Sequence, residues 1–112
     1  MGKSLTAMMK QAQKLQSSLM QVQEQLEQMT VEGVAGGGMV TAVSNGKQEI
    51  LSIKIEREVV DPDDIEMLED LIVAAVNQAR ERAQEVAEQE TKKATAGLLP
   101  HLGEFKIPGL EF

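Results

Sequence analysis

The sequence predicts an α+β domain in which two long helices flank a three-stranded antiparallel sheet. Three observations carry this expectation: a heptad-spaced apolar stripe near the start, a switch to β-branched and glycine-rich residues after Thr30, and a return to helical spacing after an acidic, proline-containing start at Asp61.

From Leu5 the apolar residues fall at Leu5, Met8, Ala12, Leu15, Leu19, Val22, Leu26 and Met29, with spacings of three and four in alternation. That is the pattern of a paired-helix seam, and Gln, Ser, Lys and Glu at most other positions keep it narrow. A helix of about 26 residues would run about 39 Å, longer than a small sheet can cover. The seam therefore asks for a partner helix, and packing on the chain's own sheet is the alternative. Met8, Met20 and Met29 soften the surface without fixing one partner geometry.

Thr30 and Val31 open an extended segment, Val31-Glu32-Gly33-Val34-Ala35, which runs into Gly36-Gly37-Gly38 as a bend. Met39–Ser44 and Lys47–Ile55 are the next two strands, and Asn45-Gly46 between them predicts a two-residue type I′ hairpin turn. In that hairpin Val40 and Ala42 share an apolar face with Leu51, Ile53 and Ile55. Asp61 is the expected N-cap of the second helix, with Pro62 at its first position and Asp63 and Asp64 complementing the dipole. Its stripe continues through Ile65, Leu68, Ile72, Ala75, Ala79, Ala83 and Val86 to about residue 95, where Gly97 and Pro100 interrupt it. The domain is assigned to residues 1–96. Residues 97–112 are expected to form a flexible tail that still carries Leu98, Leu99, Leu102, Phe105, Ile107, Leu110 and Phe112.

Composition narrows the function. The chain has 112 residues, no Cys, Trp or Tyr, two Phe and a net charge of −7. Thiolate metal sites, disulfides and aromatic base-stacking platforms are thereby excluded or nearly so. No apolar run approaches a membrane span, and no secretory apolar core stands at the start, so a cytoplasmic location is expected. The only histidine, His101, lies among the breakers of the tail, away from any rigid partner. The acids Asp61, Asp63, Asp64, Glu66, Glu69 and Asp70 fail as a calcium loop, because Ile65 and Ile72 stand where ligands are required and Glu66 where the turn needs Gly. We therefore expect no enzyme activity, metal, cofactor or small-molecule substrate.

Charge is unevenly spread. Residues 1–23 hold Lys3, Lys10 and Lys14 and no acid. With Leu5 at heptad position a and Met8 at d, Lys3 and Lys10 fall at f and Lys14 at c, all pointing away from the seam. A dimer would present this stripe twice, where it could follow phosphate backbones. Arg80 and Arg82 on the second helix are further candidates, although Glu81 stands between them. The same lysines could instead serve solubility. The chain would then be a protein–protein interaction module working through its seam, without direct DNA binding.

Several segments carry a family resemblance: Met8-Met9-Lys10-Gln11-Ala12-Gln13, Thr30-Val31-Glu32-Gly33 with the glycine bend, Asn45-Gly46, and above all Glu66-Met67-Leu68-Glu69-Asp70-Leu71-Ile72-Val73-Ala74-Ala75-Val76-Asn77-Gln78-Ala79. Through them nearly the whole chain resembles the YbaB/EbfC nucleoid-associated proteins. The resemblance implies an α-β-β-β-α fold and a homodimer joined through sheets and helices, with helical arms protruding like tweezers. It also implies DNA binding that alters DNA conformation, a place at the nucleoid and links to gene regulation. Lys10 lies within matching residues. Lys3, Lys14, Arg80 and Arg82 rest on charge alone.

Overall fold

A computed structural model describes residues 2–98, with side chains over residues 4–96. The chain runs α1 (Gly2–Gln28), β1 (Thr30–Ala35), β2 (Val40–Asn45), β3 (Ile50–Ile55) and α2 (Ile65–Leu98). A bend of three positive-φ glycines at Gly36–Gly38 and a single 3-10 turn at Arg57–Val59 complete it. The strands form an antiparallel sheet in the order β1-β2-β3. The expected α-β-β-β-α architecture is therefore observed. The tail proposed for residues 97–112, with His101, lies almost wholly outside the described residues.

The core is thin and built from small side chains. Register pairs Gly33 with Ala42 and Ala35 with Val40 on one strand pair, and Ala42 with Ile53 and Val40 with Ile55 on the next, so these residues share the inner face. α2 lies across this face over β1 and β2, and its Ala75, Ala79 and Ala83 are fully buried, as are Val40 and Ala42. The spacing of four puts the three alanines in one row down the helix. They let its backbone sit directly on the sheet: a Cβ at Gly33 would lie 2.1 Å from the Ala75 carbonyl oxygen and 2.3 Å from the Ala79 nitrogen. No side chain fits there.

The β2–β3 hairpin differs from the two-residue turn expected at Asn45-Gly46. Neither residue has a positive φ, as type I′ demands, whereas Gln48 does, at 66°. Gln48 N–H donates to the Asn45 carbonyl at 3.2 Å and Asn45 N–H to the Glu49 carbonyl at 3.0 Å, which closes a three-residue loop and delays β3 to Ile50. The Asn45 side chain organises this loop. Its Oδ1 accepts from the N–H groups of Lys47 (2.9 Å) and Glu49 (3.1 Å), and its Nδ2 donates to Glu49 Oε1 at 2.8 Å. Gly46 is needed for another reason. Its N–H donates to the carbonyls of Leu26 (2.7 Å) and Met29 (3.1 Å), and a Cβ there would meet Leu26 Cδ2 at 2.7 Å. The hairpin thus caps the end of α1, which has no basic residue of its own in the last turn.

α2 starts three residues later than the expected Asp61 cap. Asp61 instead closes a turn, its Oδ1 accepting from Asp63 N–H at 3.0 Å and its carbonyl from Asp64 N–H at 2.9 Å. Asp64 is the N-cap, accepting from Met67 N–H at 3.2 Å. The acids of this segment share the two tasks, and sequence spacing alone could not divide them. At its other end α2 continues beyond residue 95 to Leu98. The hydroxyls of Thr91 and Thr95 fold back onto the carbonyls of Ala87 (2.8 Å) and Thr91 (3.0 Å), within the helix.

The second half of the α1 seam packs within the chain. Val22 and Leu26 are buried, Leu15 and Leu19 are half-buried beside α2, and Leu5 and Met8 are 61% and 65% exposed. α1 and the second half of α2 therefore leave the sheet together as an antiparallel arm, and the molecule measures 74 × 29 × 16 Å.

Replacing Gly33 by Ala should destabilise the fold by about 3 kcal/mol, at the top of the usual overpacking range because backbone and not a side-chain tip is in the way. Urea unfolding of the purified variant would measure it, and a change below about 0.5 kcal/mol would mean that α2 can shift freely on the sheet.

Candidate nucleic-acid interface

The arm carries the basic residues that the sequence singles out. Lys10 and Lys14 lie one turn apart on α1, both exposed, and neither forms an ion pair among the described residues. Lys3 belongs to the same helix, one heptad before Lys10, with its side chain outside the described set. The acids from Asp61 to Asp70 stand at the other end of the molecule, where Leu71 packs beside Gly36. The fold thus converts a difference along the sequence into a difference along the long axis.

Arg80 and Arg82 are both exposed but are not equivalent. Arg82 Nη1 donates to the Glu32 carbonyl oxygen at 2.7 Å, and one turn earlier on α2 the Gln78 Oε1 accepts from Val34 N–H at 2.7 Å. These two side chains reach over the outer edge of β1 and satisfy the backbone groups that a neighbouring strand would otherwise use. Arg82 therefore has a structural task that its charge did not reveal, and part of its guanidinium is committed to it. Arg80 has no such bond among the described residues. Gln78 escaped the sequence reading altogether, because a glutamine on an exposed helix face carries no signal of an edge-sealing role.

The other basic side chains are dispersed. Lys47 pairs with Glu27 at 3.3 Å, joining the hairpin to the end of α1, and Lys93 pairs with Glu90 at 3.3 Å. Lys54 and Arg57 are exposed near the free side of the sheet. Among the described residues no cluster of His, Cys, Asp and Glu could hold a metal ion, and no helix is long and apolar enough to cross a membrane.

Residues 1–98 match the model of the YbaB/EbfC DNA-binding family. The chain belongs to this family. A nucleoid-associated protein of Caldanaerobacter subterraneus subsp. tengcongensis is 51% identical over 109 residues, covering 97% of this chain and 92% of the relative. One from Syntrophobacter fumaroxidans is 55% identical over 103 residues, covering 91% of each. These names describe DNA-associated proteins and not enzymes. The crystal structure of an uncharacterized Helicobacter pylori protein shares the fold, with a TM-score of 0.58 at 22% identity over 66% of this chain and 86% of that one.

Removing the Arg82 side chain should cost about 1 kcal/mol through the lost charge-assisted bond to an exposed strand edge. Arg82→Ala and Arg80→Ala compared by thermal unfolding should separate the two residues, with only the former lowering the midpoint. Equal midpoints would assign both arginines to solvent.

Proposed function

We propose that the protein binds duplex DNA as a homodimer, gripping mainly the phosphate backbone and altering DNA conformation. Its place would be at the nucleoid, within the cytoplasm, with a role in nucleoid organisation and gene regulation. The carrying observation is the exposed Lys10 and Lys14 on the acid-free stretch of α1, residues 1–23, in a chain whose net charge is −7 and whose family is a DNA-binding one. Lys3 extends the same stripe, and Arg80 is the free arginine nearest the root of the arm. Lysine contacts of this type position a protein on DNA without reading bases, so weak sequence preference follows.

A dimer is supported by the unequal edges of the sheet. β1 is sealed by Gln78 and Arg82, whereas among the described residues nothing outside the hairpin bonds to β3. The inner face of β3 is also left uncovered by α2, with Leu51 55% and Ile53 42% exposed. An open edge beside exposed apolar side chains is the surface on which a second sheet can be joined. Two arms projecting from a common sheet would then present two basic stripes.

The alternative of a protein-interaction module draws on the exposed Leu5, Met8 and Met9 at the arm's end. It differs in what salt does to DNA binding. With three lysines from each of two protomers on phosphates, affinity for a duplex should fall by about 10³ between 50 and 200 mM salt. The Lys3, Lys10 and Lys14 triple alanine variant should bind at least tenfold more weakly with a shallower salt dependence. Band shifts on two unrelated duplexes measure both, and no binding at 50 mM salt would reject the DNA reading. Separately, Ile53→Lys should leave the fold intact, because Ile53 is already exposed in one chain, yet give monomers in light scattering. A dimeric variant would move the interface away from β3.

A further inference from the structure

The arm is not closed along its length. Between α1 and α2 runs a groove of about 460 Å³ lined by Ala12, Leu15, Leu19, Met20 and Thr91, with Gln16 and Gln23 also on its wall. That volume falls among those of ordinary binding pockets, about 300–1,000 Å³. It exists because α2 sets Thr91 where α1 brings leucines, so the two helices do not fill the space between them. It is apolar despite Thr91, whose hydroxyl is used by the Ala87 carbonyl inside the helix.

We propose that residues 99–112 of the same chain turn back from the end of α2 and lie in this groove. The segment reads Leu-Pro-His-Leu-Gly-Glu-Phe-Lys-Ile-Pro-Gly-Leu-Glu-Phe and contains both phenylalanines of a protein that has no Trp or Tyr. Pro100, Gly103, Pro108 and Gly109 prevent it from prolonging α2, while Leu99, Leu102, Phe105, Ile107, Leu110 and Phe112 need apolar cover.

The reach is sufficient. From Leu98 back to the level of Thr91 is about 11 Å along the helix, and the groove from Ala12 to Gln23 adds about 17 Å. Fourteen extended residues span up to about 46 Å. Continuity favours this occupant over a second copy of α1: the segment leaves α2 at Leu98, about two turns beyond the Thr91 that lines the groove, and needs no second chain to reach it. The docked segment would act as a strap holding the two helices of the arm together, whether or not the arm binds DNA.

The chain has no cysteine, so introduced pairs report without background. In the full-length protein, Gln16→Cys combined with Glu104→Cys tests the groove. Gln21→Cys combined with Glu104→Cys is the control, since Gln21 is exposed and about 140° further round α1. Under mild oxidation the first pair should close within one chain at least ten times faster than the second, giving a compact species of monomer mass on a non-reducing gel. Equal rates, no disulfide, or a product linking two chains would each overturn docking within the chain. Hydrogen exchange gives an independent reading. Ending the chain after Leu98 should speed amide exchange across residues 12–23 at least fivefold, and unchanged exchange would reject the strap. Neither readout depends on DNA, so their failure would leave the DNA-binding proposal standing, and failed band shifts would leave this one.

Discussion

Gly33 has no side chain, and the backbone of α2 occupies the space where one would be. With the Ala75 carbonyl and the Ala79 nitrogen on one side and the strand on the other, helix and sheet meet as closely as two backbones can. This contact sets the height of α2 over the sheet. It also sets the helix's lateral position, because Ala42 beside Gly33 and Ala83 one turn further on are likewise fully buried. Close seating brings Gln78 and Arg82 within reach of the β1 edge. A bulkier interface would lift α2 and leave that edge open.

The second fixed point is Gly46. The end of α1 rests on the hairpin, which supplies N–H to its last carbonyls and buries Leu26 against the same glycine. Two close contacts involving glycine therefore hold the roots of two long helices on one small sheet. Beyond them the helices have only each other. The buried Val22 gives way to half-buried Leu19 and Leu15, then to exposed Met8 and Leu5, and the apolar cover thins steadily along the arm. Small side chains secure the root, and the end is left with unused apolar surface and most of the unpaired positive charge.

That arrangement reconciles an acidic protein with a polyanionic partner. The carboxylates of Asp61 and Asp64 shape the turn and cap before α2, and with Asp63, Glu66, Glu69 and Asp70 they stand at the opposite end of the molecule from the tip of the arm. At physiological ionic strength charges are screened over about 8 Å, a small fraction of the 74 Å length, so net charge is a poor guide to the field at the arm.

Much of this could be read from the chain alone. Heptad spacing marks α1, β-branched residues and glycines mark the strands, and the alanine-bearing stripe marks α2, since each is a periodic property of consecutive residues. The basic stripe of α1 is equally legible, because helical geometry fixes which residues share a face. What neighbouring residues could not settle depended on contacts between distant ones. Asn45-Gly46 reads as a two-residue turn until α1 is found resting on Gly46, which gives the glycine another purpose and lengthens the loop. Asp61 and Asp64 are interchangeable as caps until the path of the incoming chain selects the later one. Arg82 looks like Arg80 until the β1 edge lies beneath it. The seam of α1 fits a partner helix of any origin, and its root meets α2 of the same chain because Gly33 and Gly46 hold both helices on one sheet. Periodicity is local and survives in the sequence, whereas the choice among equally suitable partners is made by which backbones can approach closely enough to touch.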